Sequence, residues 1–393
     1  MPENPSASAT PCSPDLDPVR LASQLIAVQS VNPGLVPDAE GEKGVADFCS
    51  QWLGDRGFEV HRLEKHSGRP SIVAIARGTG GGRSLMLNGH LDTVGVANYE
   101  GDPFEPQTRN GKLYGRGAFD MKGGIAAMMI AAVRAMPRGP LRGDVIVACV
   151  SDEENNSYGT EEVLEHVTAD AAVIAEPSHL EVTLAHKGFA LFDVEIMGRT
   201  AHGSQPELGI DAIAKAGHFL IALEQLGQRL DEGPRHPLLG TGAVRASLIH
   251  GGEELFTIPA RCRVTVERRT VPGEDAESVA QELTSVLDHL AATVPDFHYR
   301  LTAGLCREPF AANPEADVVR TLIRHAEQVL GHPPVVRAEP FWTDASLLNQ
   351  AGIPSLIFGV DGGGAHAATE WVDVASLYRL TEILTATVEE FCS

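Results

Sequence analysis

The chain has 393 residues, 43% hydrophobic and 21% charged, so it is long enough for two hydrophobic cores and has the composition of a globular protein. Its formal charge of −22, from 53 acidic against 31 basic residues, repels phosphate backbones and anionic bilayers. No apolar run approaches the ~20 residues that a membrane span needs. Neither nucleic acid nor membrane is expected as a partner.

The opening MPENPSASATPCSPDLDP lacks a basic and an apolar region, so no signal peptide is expected, and residues 1–16 read as a disordered tail. Helices are predicted over 17–30 and 41–56, the second stopped by Gly57. SIVAIARG and SLMLNGH read as strands, and GKLYGRGAFDMKGG as a loop feeding the helix IAAMMIAAVRAM, whose leading glycines permit close packing. DVIVACVSDEE and ADAAVIAEPS are further buried strands ending in acids. This alternation predicts an α/β fold, a mostly parallel sheet flanked by helices.

After residue 186 the pattern changes. KGFALFDVEIMG alternates like a half-exposed strand. A helix at about 210–228, the strands GAVRASLIHG and ARCRVTVERRT, a helix AESVAQELTSVLDHLAATV and a strand HYRLTAG follow. That β-α-β-β-α-β order is the split βαβ, ferredoxin-like arrangement. The expected organisation is an α/β domain over 17–186 and 305–393, interrupted by an inserted α+β domain over 187–304. The last part is read as a helix over 314–330, TDASLLNQAG, a strand IPSLIFGV, a glycine loop and a closing helix. Six cysteines without a C-x-x-C pair (Cys12, Cys49, Cys149, Cys262, Cys306, Cys392) read as reduced thiols of a cytoplasmic protein.

Chemistry-bearing residues collect where a parallel sheet presents ligands, at strand ends and adjacent loops. His90, Asp120, Glu154, Glu176 and His366 are the candidate metal ligands. Imidazole plus carboxylate without thiolate suits zinc, cobalt or manganese, and a pair of ions needs one shared carboxylate, for which Asp120 is the candidate. Asp92 fits an acceptor for the second N–H of His90. Glu153, beside a ligand but not itself one, fits a general base and acid. Taken singly, each is also explained by something plainer: a hydrogen-bonded turn for His90 and Asp92, a solvated acidic cluster for the DEE run, a loop histidine for His366. The set as a whole carries the reading.

GHLDTV, GRGAFDMKGG, SDEE, EPS, GRTAHGSQP, ERRTVPGE and GGGAHAATEWV together resemble the metal-dependent amidohydrolase and exopeptidase family. That family includes acetylornithine deacetylase, succinyl-diaminopimelate desuccinylase, aminoacylase and glutamate carboxypeptidase. The motifs stand in the family's order and cover nearly the whole chain beyond the tail. The resemblance implies two divalent ions per subunit, expected to be zinc with cobalt or manganese as alternatives. His90, Asp120 and Glu176 would hold one, and Asp120, Glu154 and His366 the other. It implies a cis peptide bond between Asp120 and Met121, water as nucleophile between the ions, and Glu153 as acid/base. It further implies that the α/β domain is catalytic, that the inserted domain is a lid, and that a homodimer forms through this lid, in which His202 reaches the partner's site to stabilise an oxyanion, and Arg269 binds a substrate carboxylate. Arg268, alternating to the other face of its strand, is expected to be solvated.

Two departures bear on the substrate. Phe256 stands in LFTIPARC where deacetylase and desuccinylase members often have asparagine, and Gly203 follows His202 where serine is usual. Phe256 suggests a bulkier or more apolar acyl or side-chain group. The expected activity is amide hydrolysis of a small N-acyl amino acid, towards which Glu176, in place of aspartate, leans. The alternatives are a dipeptidase or carboxypeptidase of the same mechanism and, remotely, a non-catalytic binding module.

Overall fold

In the computed structural model, residues 14–136 and 141–393 are described. The expected tail therefore lies outside the described residues up to residue 13, as does Cys12, while Pro14–Leu16 forms a 3-10 turn. The chain divides into two compact units. One comprises the sequence up to Val182 with Asn313–Val336 and Leu347–Ser393; the other comprises Thr183–Ala312 and Arg337–Ser346. The segment Arg337–Ser346, read from sequence as catalytic domain, groups with the second unit.

In the first unit the sheet runs Glu59–Leu63, Ser71–Ala76, Val145–Val150, Leu85–His90, Ala171–Ile174, Ser355–Ile357. Its last four strands are mutually parallel, and the first two are antiparallel additions. Every residue of Leu85–His90, Val145–Val150 and Ala171–Ile174 is buried, as continuous apolar runs require when helices cover both faces. Helix Lys122–Ala135 is buried on all sides except at Arg134 and packs against helix Val374–Phe391. Its start lies so close to the sheet that a Cβ on Gly124 would stand 2.1 Å from the Ala175 carbonyl oxygen.

Helix Pro18–Ile26, capped by the Asp17 side chain on Val19 N–H, ends four residues before the expected position. The chain is drawn into extended pairing there, with Val31 bridging Thr93. A small antiparallel sheet not expected from the sequence is formed by Gln107–Arg109, Lys112–Tyr114, Trp371–Asp373 and Gly362–Gly363, of which Lys112–Tyr114 and Gly362–Gly363 fall in segments expected as loops. Strands of two or three residues are too short to show a period.

The second unit is an antiparallel sheet in the order Ala243–Gly251, Arg261–Thr270, Gly188–Met197, His298–Arg307, with helices Ala212–Glu232 and Ala276–Thr293. Gly188–Met197 alternates buried and half-buried residues, and Phe192, Val194 and Ile196 meet Phe219, Leu223, Leu283 and Leu287 in its core. The edge strand Ala243–Gly251 is exposed almost throughout. Among the described residues no helix is long and apolar enough to cross a membrane, and the five described cysteines are free.

Candidate metal centre

Strand register explains why residues far apart in sequence converge. His90 pairs with Val150, and Asn88 with Ile174, so His90, the Asp152–Glu154 turn and Glu176 emerge at one edge of the sheet. Asp120 enters from the turn before helix Lys122–Ala135, and the Asp120–Met121 peptide bond is cis, as expected. His366 comes from the glycine loop and has φ +60°. The preceding turn needs glycine, because Gly364 has φ +80° and a Cβ there would lie 1.9 Å from the Thr369 carbonyl oxygen.

The five candidate ligands all lie in the first unit and gather in one place. Asp120 Oδ1 is 3.0 Å from His90 Nε2, while its Oδ2 is 3.3 Å from His366 Nε2. His366 Nε2 is also 3.1 Å from Glu154 Oε2, and His90 Nε2 is 3.5 Å from Glu176 Oε1. Donor atoms of His90, Asp120 and Glu154 lie within 4.8 Å of one another, as do those of His90, Glu153 and Glu176. One carboxylate whose two oxygens face two different imidazoles is the arrangement that a pair of cations shares. The donor set contains no thiolate, so these residues fit hard or borderline divalent ions such as zinc, cobalt or manganese.

The charges fit as well. Burial opposes a charge on His90, but Glu176, Asp120 and Asp92 outweigh it and push its pKa well up. Hydrogen bonds donated by its imidazole to the Asp120 and Glu154 carboxylates push His366 up to about 10. Against its own burial, Asp120 is held well below the usual carboxylate range by His366 and His90. These shifts favour the protonated form of both imidazoles, a proton that a bound cation would have to displace. Binding of two divalent ions is expected to release about two protons, and affinity is expected to fall as pH is lowered. Calorimetry in buffers of different ionisation enthalpy counts these protons; uptake without release would contradict the charge assignment.

Behind the ligands lies a buried network that the sequence reading resolved only in part. Asp92 differs from expectation. His90 Nδ1 bonds the Asp92 backbone carbonyl at 2.9 Å, and the carboxylate is 3.6 Å away. That carboxylate is taken up by other donors: Asn32 Nδ2 at 2.7 Å and the Glu153 and Glu154 N–H groups at 3.1 Å each. Asp92 therefore holds the turn that carries Glu153 and Glu154, and its carbonyl sets the His90 tautomer. Asp152, the first acid of the run, is fully buried with φ +67°, unlike a solvated acidic cluster. It accepts from Arg69 at 2.7 Å and Asn32 at 3.0 Å, and Arg69 also grips Glu42 through two bonds of 2.6 Å. Asp92→Asn replaces an oxygen by a donor facing these N–H groups. A loss of about 10–100-fold in cation affinity or kcat is expected, and wild-type behaviour in both would remove this role.

The sequence model of Peptidase family M20/M25/M40 matches residues 86–390. An acetylornithine deacetylase of Myxococcus xanthus is 31% identical over 386 residues, covering 94% of this chain and 96% of that one. The chain belongs to Peptidase family M20/M25/M40. An N-formyl-4-amino-5-aminomethyl-2-methylpyrimidine deformylase of Bacillus subtilis is 26% identical, covering 95% of this chain and 94% of that one. In structure, an M20 family metallo-carboxypeptidase from Sulfolobus solfataricus superposes with a TM-score of 0.77 at 17% identity, over 97% of this chain and 99% of that chain. As an M20/M25/M40 member, the chain is a metallohydrolase of amides or peptides.

The other residues singled out by the resemblance to this M20/M25/M40 group lie in the second unit. His202 is exposed and bridges to Thr257. Its Nδ1 accepts from the Ser204 N–H at 3.2 Å and lies 2.7 Å from Ser204 Oγ, which leaves Nε2 to carry the proton of the neutral ring. Gly203 has a steric reason: a Cβ there would lie 2.9 Å from the Phe256 carbonyl oxygen, which its N–H bonds at 2.7 Å. Arg269 is half-buried and paired with Glu267 at 2.6 Å. Arg268, expected in solvent, is instead 2% exposed and bonded to Glu274 at 2.5 Å and Glu282 at 3.1 Å. Arg268 keeps the alternation but on the inward face, in phase with Cys262, Val264 and Val266, where the following turn and helix bring two carboxylates to its guanidinium.

Proposed function

We propose that this M20/M25/M40 chain hydrolyses the amide bond of a small N-acyl amino acid, with two divalent cations held by His90, Asp120, Glu154, Glu176 and His366. The observation that carries the reading is Asp120, whose two oxygens face His90 and His366 separately. Bound cations of this kind acidify water and polarise a carbonyl. Glu153 takes the proton of the attacking water and returns it to the leaving amine nitrogen. His202, with its proton on Nε2, donates to the developing oxyanion; removal of such a donor typically costs about 3–4 kcal/mol. Arg269 holds the substrate carboxylate, exchanging Glu267 for it. His202 acts across a homodimer, and the exposed edge strand Ala243–Gly251 with Leu248 and Ile249 supports that association.

Acyl preference follows from local composition. A cavity of about 480 Å³ beside His366 is lined by the apolar Val31, Val36, Pro37, Val96 and Ala97 and by the polar Gln29, Asp38, Asn98 and Arg116. Phe256 is 77% exposed and free to contact apolar groups. In a panel of N-acyl amino acids assayed beside dipeptides, kcat/KM is expected to rise roughly tenfold or more from acetyl to larger apolar acyl groups. Preference for acetyl or succinyl would overturn the apolar reading. Preference for dipeptides would replace deacylation by peptidase activity.

A further inference from the structure

Of the five ligands proposed above, His366 is the most precarious. It sits on a glycine loop in a left-handed conformation, with 54% of its side chain exposed. Two residues outside the ligand set tie its turn to that of Asp120. Lys112–Tyr114 pairs with Trp371–Asp373 in the small sheet, with Tyr114 opposite Trp371. The chain leaving Tyr114 runs through Arg116 to Asp120, and the chain entering Trp371 comes from His366 through Glu370.

Arg116 and Glu370 cross between these two turns in opposite directions. Glu370, fully buried, reaches into the Asp120 turn: Oε1 accepts from Phe119 and Asp120 N–H at 2.9 Å each, and Oε2 from Gly117 N–H at 3.0 Å. Arg116, 2% exposed, reaches back to the His366 turn, donating to the Ala367 carbonyl at 2.9 Å and to Glu370 Oε2 at 2.8 Å. A carboxylate buried beside Asp120 is costly unless paired and fully hydrogen-bonded, and this one has four donors. Bonds to the peptide groups of Asp120 and Ala367, next to the ligands themselves, fix where those ligands point.

The geometry points to Arg116 and Glu370 as a reciprocal staple that positions His366 against Asp120 and so completes the second cation site. This rests on the reading of Asp120 and His366 as ligands. Both are positioning residues; neither supplies a donor atom to the ion.

Cobalt(II) titration of wild type, Glu370→Gln and Arg116→Lys tests it, with stoichiometry and the visible spectrum of bound cobalt as readouts. In Glu370→Gln an amide NH2 must face backbone N–H groups. Arg116→Lys keeps the charge but cannot span Glu370 and Ala367 together. Wild type is expected to bind two ions. Each variant is expected to keep one with unchanged affinity and bind the other about 10–100-fold more weakly, with kcat restored by excess cobalt. A role in fold stability alone would weaken both sites together, or neither. If Glu370→Gln does not fold, Arg116→Lys decides the outcome. Two wild-type affinities and an unchanged spectrum in the variants would overturn the staple, as would a wild type that binds fewer than two ions. A wild type that binds two ions and shows the variant effect, but hydrolyses no amide, would uphold the staple and sink only the proposed function.

Discussion

Glu153→Gln is expected to lower kcat by about a thousandfold, equivalent to about 4 kcal/mol of transition-state stabilisation, while both cations remain bound. Glutamine matches glutamate in size but cannot take a proton from water or return it to an amine. The side chain is well placed for the task, since its carboxylate lies within 4.8 Å of donor atoms of His90 and Glu176. Its backbone is held independently, by N–H donation to Asp92 at 3.1 Å, so the substitution leaves the turn intact. Metal analysis beside steady-state kinetics checks both halves of the expectation. A cation-loaded Gln variant with wild-type kcat would rule out Glu153 as the acid/base. A variant that lost an ion would make it a ligand instead.

Cation removal should have the next largest effect. Asp120, Glu153, Glu154 and Glu176 crowd two imidazoles at one sheet edge, so the ion-free site gathers like charges. Burial and the neighbouring Asp120 push Glu154 above its usual pKa, a sign of this mutual repulsion. Ions present at about a hundredfold excess over Kd stabilise the native state by about 2.7 kcal/mol each. For two ions in a chain of this length, that corresponds to a rise in melting temperature of about 5–10 °C. Scanning calorimetry of chelator-treated protein with and without added zinc measures it, and hydrolysis should vanish in the chelated sample. Equal melting temperatures would argue against a cation site in the folded chain.

Much of the site could be seen without coordinates. His90, Glu154 and Glu176 follow buried apolar runs, where a parallel sheet exposes its carboxyl ends, and their polarity stands out against Leu85–Leu87, Val145–Val150 and Ala171–Ile174. Residues that act through a distant backbone could not be seen that way. Glu42 and Arg69 gain meaning only beside Asp152, and Glu370 only beside the peptide groups of Gly117, Phe119 and Asp120. An acid whose partners are main-chain N–H groups leaves no matching residue type to search for. Asp92 shows a subtler failure. Its spacing from His90 correctly suggested a bond, but the carbonyl makes it and the carboxylate turns to the Glu153–Glu154 turn.

The sequence by itself determined the family, the order of the longer strands and helices, and the residue types that gather at the candidate metal centre, because these depend on local periodicity and on short motifs at strand ends. Only the tertiary structure decided that Asp120 divides its two oxygens between His90 and His366, that Arg268 is buried under Glu274 and Glu282, and that Arg116 and Glu370 tie two turns together. Each of these joins groups a few ångströms apart in space whose pairing no local pattern encodes, and burial then makes an unpaired charge too costly to leave.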